Sequence, residues 1–75
     1  MKDLYFQKRL FERHCRDYME RTGATQTEFA EMVGTAPSTI SHLLSGRAPS
    51  VELFLRICFL LSLNPINFLR TEKGR

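Results

Sequence analysis

Residues 25–46, TQTEFAEMVGTAPSTISHLLSG, spell two short helices joined by a tight turn. Thr25 opens the first: its hydroxyl can accept from the backbone N–H of Glu28 while the Glu28 carboxylate reaches back, a capping box that starts helix at Gln26. Phe29, Ala30 and Val33 then fall on one side as a narrow apolar stripe, and Ala30 is small enough to let another helix cross closely. Gly34 stops the helix, because glycine takes the left-handed conformation that turns the chain at no steric cost. Thr35-Ala36-Pro37 restarts it, with proline at a tolerated first position.

The second helix runs from Pro37 to Ser45. Ile40, Leu43 and Leu44 recur at helical spacing and point inward, while Ser38, Ser41, His42 and Ser45 project from the opposite side. A solvated surface helix ordinarily carries Glu and Lys, strong helix formers that cover apolar surface; this one carries small hydrogen-bonding groups of modest helix propensity. Either something approaches its backbone closely, or the serines only cap a short helix whose outer face meets water. A short helix with an uncovered polar face, delivered by a tight turn, is how a small domain presents a helix to DNA.

The succession Thr25-Gln26, Ala30, Gly34, Ser38-Thr39-Ile40-Ser41 and Gly46 resembles the helix-turn-helix domain of the phage repressor and Cro family, also called the xenobiotic-response-element family, over residues 10–69. The resemblance implies an all-α fold, a compact five-helix bundle of the lambda-repressor-like DNA-binding type. It also implies roles. Gln26 at the start of the first motif helix looks like the residue that touches a phosphate and braces the reading helix, with Thr25 beside it. Ala36, Pro37, Ser38, Thr39, Ser41 and His42 take the positions that face base edges, and Ser45 and Arg47 those that hold the DNA backbone beyond the second helix. Arg13 and Arg16 of the first helix are placed to approach a phosphate. Members of the family often carry Gln, Arg or Ser where this chain has Ala36 and Pro37. Two apolar residues there can touch thymine methyl groups, which leaves Ser38 and His42 to distinguish bases and implies modest specificity with A·T content. For His42 a solvent-exposed imidazole without a partner stands beside the base contact, since only one of its nitrogens donates when neutral.

Length and charge bound the rest. A chain of 75 residues is one domain, near the size at which a single core is marginal, so nearly every helix must contribute apolar surface. Its expected extent is residues 1–69, followed by a flexible basic tail at 70–75. The net charge of +3 and a pI near 9.2 suit an anionic partner. The distribution is uneven: residues 1–21 hold six Lys or Arg against four Asp or Glu, residues 22–69 two against three, and residues 70–75 three against one. Attraction to phosphate must therefore come from Arg47 together with the flanks.

Leu4, Phe11, Cys15 and Tyr18, with Phe6, Leu10 and Met19 beside them, give a broad stripe of helical period and predict one long helix from Asp3 to Arg21. After Gly46, Ser50 caps a helix from Val51 to Leu61 that is apolar nearly all round; it is too short to span a bilayer, and Glu52 and Arg56 interrupt it. Asn64 caps a last short helix from Pro65 to Leu69. Ile66, Phe68 and Leu69 are more apolar surface than such a turn hides, so it either meets a partner subunit or folds back on the first helix.

Cys15 and Cys58 lie far apart on apolar stripes, without Cys-x-x-Cys or paired His spacing, and read as reduced core thiols rather than metal ligands. No phosphate-cradling glycine loop, nucleophile elbow or carboxylate pair appears, so no catalytic residues, metal, cofactor, small-molecule substrate or membrane partner is expected, and the cytoplasm is the expected location. The pattern as a whole points to a small Cro-like or repressor-type transcriptional regulator of a phage or mobile element. Its partner is a double-stranded DNA operator, palindromic because one reading helix spans too few base pairs, met by a homodimer formed through the C-terminal helices or only on DNA. The rival reading is a helix-turn-helix scaffold for protein binding, as in an antitoxin or anti-repressor.

Overall fold

Four α-helices turn their apolar faces to one core, and a two-stranded ribbon closes one side of it. The computed structural model describes residues 3–72. In chain order these form β1 (Asp3–Phe6), α1 (Lys8–Thr22), α2 (Gln26–Val33), α3 (Pro37–Leu44), α4 (Val51–Leu61), a 3-10 turn (Pro65–Phe68) and β2 (Leu69–Glu72).

Helices α2 and α4 keep the boundaries their sequence dictates, and α3 ends at Leu44, one residue before the expected Ser45, which caps it. Ser50 caps α4 by accepting from the Leu53 N–H at 3.2 Å, and Asn64 caps the 3-10 turn by accepting from the Ile66 N–H at 3.1 Å. The core gathers Phe11 and Cys15 from α1, Phe29, Ala30 and Val33 from α2, Ile40, Leu43 and Leu44 from α3, Leu53, Phe54, Ile57 and Cys58 from α4, and Phe68 from the 3-10 turn. Phe11, Phe54 and Phe68 meet edge to face, with centroids 5.0 to 6.0 Å apart, the arrangement their ring quadrupoles favour. Burial pushes the Cys15 thiol up to about 12, with Cys58 and Glu12 adding in the same direction, and burial raises Cys58 as well. Both thiols are therefore protonated at neutral pH and poor nucleophiles.

Three expectations need correction. Among the described residues the helix count is four, not five, because the last segment winds as a 3-10 turn rather than an α-helix. The long first helix does not begin at Asp3: Asp3–Phe6 is a strand paired antiparallel with Leu69–Glu72, in a register that sets Phe6 against Leu69 and Tyr5 against Arg70. Gln7 then joins strand to helix. Its backbone N–H donates to the Phe68 carbonyl at 2.7 Å and its side-chain amide to the Asn67 carbonyl at 3.2 Å. The chain is extended here because Phe6, in this form, packs on Phe11 and Phe54, with centroids 5.6 and 5.0 Å away. Pairing also claims Arg70–Glu72, which were expected to be loose; the remainder of that expected tail, residues 73–75, lies outside the described residues. Of the apolar C-terminal residues, Phe68 folds back onto α1 and α4, while Ile66 stays 67% exposed.

Candidate nucleic-acid interface

The start of α2 is fixed by the capping box in full. The Thr25 hydroxyl accepts from the Glu28 N–H at 3.1 Å, and the Glu28 carboxylate accepts from the Thr25 N–H at 2.9 Å. Gly34 ends α2 at φ +88°, where the N–H groups of Gly34 and Thr35 both donate to the Ala30 carbonyl, at 2.8 and 2.9 Å. Ala36 is extended, and Pro37 opens α3. Three residues thus separate the helices, and α2 packs directly on α3.

The outward side of α3 is as the spacing requires. Ile40, Leu43 and Leu44 are buried; Pro37, Ser38, Ser41, His42 and Ser45 are exposed, as are Ala36 before them and Arg47 beyond them. Thr39 is half-buried on the flank. It lines a groove of about 340 Å³ between α3 and the loop that follows, shared with Thr35, His42, Arg47, Pro49 and Ser50. Gln26 and Thr25 are exposed at the start of α2. The C-terminal end of α3 is tied locally: the Ser45 hydroxyl donates to the His42 carbonyl at 2.9 Å, and Gly46, at φ +105°, lets the Arg47 N–H reach the same carbonyl at 3.0 Å.

The two α1 arginines part company. Arg13 is exposed on α1, whereas Arg16 turns toward the motif, its Nη2 donating to the Leu44 carbonyl at 2.6 Å and its Nε to Glu12 at 3.1 Å. A residue not singled out in the sequence reading holds the other end. Arg56 of α4 donates through Nη1 to the Gly34 carbonyl at 3.1 Å and through Nη2 to Glu52 at 2.7 Å. A Cβ on Gly34 would lie 3.0 Å from Nη1, the tip of a half-exposed side chain that can give way, so it is the backbone conformation at φ +88° that calls for glycine here. The Glu52–Arg56 spacing is visible in the sequence as an ordinary helix-surface pair, and nothing local signals its third partner.

A helix whose polar face is free, carried by a three-residue turn from a helix that buries its own face, defines a helix-turn-helix DNA-binding domain. The helix-turn-helix family matches residues 16–63, and the chain belongs to that family, in its phage repressor and Cro form. Its domains bind double-stranded DNA and are regulatory rather than enzymatic. No curated protein and no solved structure matches the chain. The ribbon and the first half of α1 lie outside the matched span. Among the described residues no helix is long and apolar enough to cross a membrane.

Proposed function

We propose that the domain reads duplex DNA by laying α3 in the major groove as a small repressor-type transcriptional regulator of phage or mobile-element origin. Ser38, Ser41 and His42 meet base edges, with Thr39 on the flank and Ala36 and Pro37 against thymine methyl groups. Gln26, Thr25, Ser45 and Arg47 hold phosphates on either side, with Arg13 reaching the backbone from α1. The observation that carries this reading is the composition of the exposed side of α3, which offers hydroxyls and an imidazole where a solvated helix carries Lys and Glu. An eight-residue helix is about 12 Å long and spans about four base pairs of groove. Useful affinity therefore comes from two copies on a palindromic operator with half-sites about one helical turn apart.

A second reading has its own support. Phe59 is 88% exposed, Leu55 47% and Met32 45%, and the three line one shallow depression across α2 and α4. A contiguous apolar surface of this kind suits a protein partner, as an antitoxin or anti-repressor would have.

Titration with a duplex selected from a random pool, at two salt concentrations, separates the readings. For a DNA reader, His42→Ala lowers preference at one base position, with about 1–3 kcal/mol lost there, while Arg47→Ala weakens all duplexes equally and reduces the salt slope by about one. Absence of binding at low salt refutes DNA reading and favours the scaffold.

A further inference from the structure

The geometry points to Arg16 and Arg56 as a pair of positioning residues that set the pose of α3 from its two ends. They come from different helices and are built alike. Each follows a glutamate by four residues, Glu12 before Arg16 and Glu52 before Arg56, and bonds to it at 3.1 and 2.7 Å. Each spends its other donor on a main-chain carbonyl of the motif: Arg16 on Leu44, the last residue of α3, and Arg56 on Gly34, the hinge of the turn before α3. The last residue of the reading helix and the turn that delivers its first are thus each held by a guanidinium, anchored on α1 and α4 respectively.

The helix needs such holds. At eight residues α3 is too short to be stable by itself, and its first residue is preceded by Ala36, which makes no side-chain cap. Burial of Ile40, Leu43 and Leu44 fixes which side faces the core, but apolar contact is non-directional and leaves small slides and rotations along the helix axis inexpensive. A charge-assisted hydrogen bond to a carbonyl is directional, and one on Leu44 with one on the turn before α3 restricts that freedom. The glutamates reduce the freedom of each arginine before it reaches the motif. Both arginine side chains are about half exposed, at 56% and 49%, so the pairs add little to global stability. Their effect falls on where α3 sits, and base readout depends on that placement.

This rests on α3 being the reading helix, and it gives Arg16 a task other than phosphate contact. The test is the variant Arg16→Gln/Arg56→Gln, with Arg16→Lys/Arg56→Lys beside it, measured against a duplex selected from a random pool, the same duplex with one altered base pair, and a scrambled duplex. Positioning predicts that discrimination between the first two falls by about fivefold or more in both variants while the salt slope is unchanged, because lysine keeps the charge and loses the fork. A reduced salt slope with discrimination intact makes the arginines phosphate ligands and overturns the inference, as does no change in either. If the parent binds no duplex, the DNA reading has failed, and amide exchange in the free protein decides the pair alone: faster exchange from Ile40 to Leu44 in the glutamine variant upholds the hold on α3, and unchanged exchange overturns it.

Discussion

The turn between α2 and α3 and the ribbon of β1 with β2 both bring two segments of the chain together, by opposite means. The turn is made of neighbours: Thr25 and Glu28 start the helix before it, Gly34 ends that helix, and Pro37 starts the next. The ribbon joins residues about as far apart as the chain allows, and the bond from Gln7 to Asn67 spans sixty positions. The turn carries the candidate site and the ribbon carries none of its residues, yet both rest on one core, because Val33 and Ile40 on either side of the turn share a cluster with Phe11 and Phe54, on which Phe6 packs. Local chemistry thus sets where α3 starts and stops, while distant packing sets whether there is a folded body to carry it.

That contrast orders the mutational effects. Phe68→Ala has the largest: the ring is buried against Phe11 and Phe54, and its loss costs about 3–5 kcal/mol in a urea titration at 25 °C, a large share of the stability of a domain of this size. A cost under about 1 kcal/mol would uncouple the ribbon end from the core and break the comparison. Gly34→Ala comes next. A side chain at φ +88° costs about 1–2 kcal/mol, while the Arg56 guanidinium beside the new Cβ can shift aside, so the same titration shows a loss in that range. Thr25→Ala is the smallest, at about 1 kcal/mol, since it removes one cap from a helix that packing also holds. A larger loss from Thr25→Ala than from Phe68→Ala would place the stability of the domain in its local signals.

The same contrast explains what could be read in the sequence. The caps at Thr25, Ser50 and Asn64, the stop at Gly34 and the inward set Ile40, Leu43 and Leu44 are all written within a few residues, and all stand in the structure. Asp3–Phe6 was not legible as a strand. Its Leu4, Tyr5 and Phe6 form an apolar run compatible with either period, and the choice is made by Leu69–Glu72, whose own four residues carry no strand pattern. For the site, the exposed face of α3 follows from spacing alone. The hold of Arg16 on Leu44 and of Arg56 on Gly34 does not, because a glutamate four residues before an arginine announces a surface pair and leaves the second acceptor unnamed.

The central claim is that the polar side of α3 lies against base pairs, and amide chemical shifts followed during addition of a selected duplex test it most directly. The account predicts that Ser38, Ser41 and His42 move together with Gln26 and Arg47, while Leu55, Phe59 and Ile66 stay in place. Shifts centred on Met32, Leu55 and Phe59, or no shifts on α3 at saturating duplex, would contradict it.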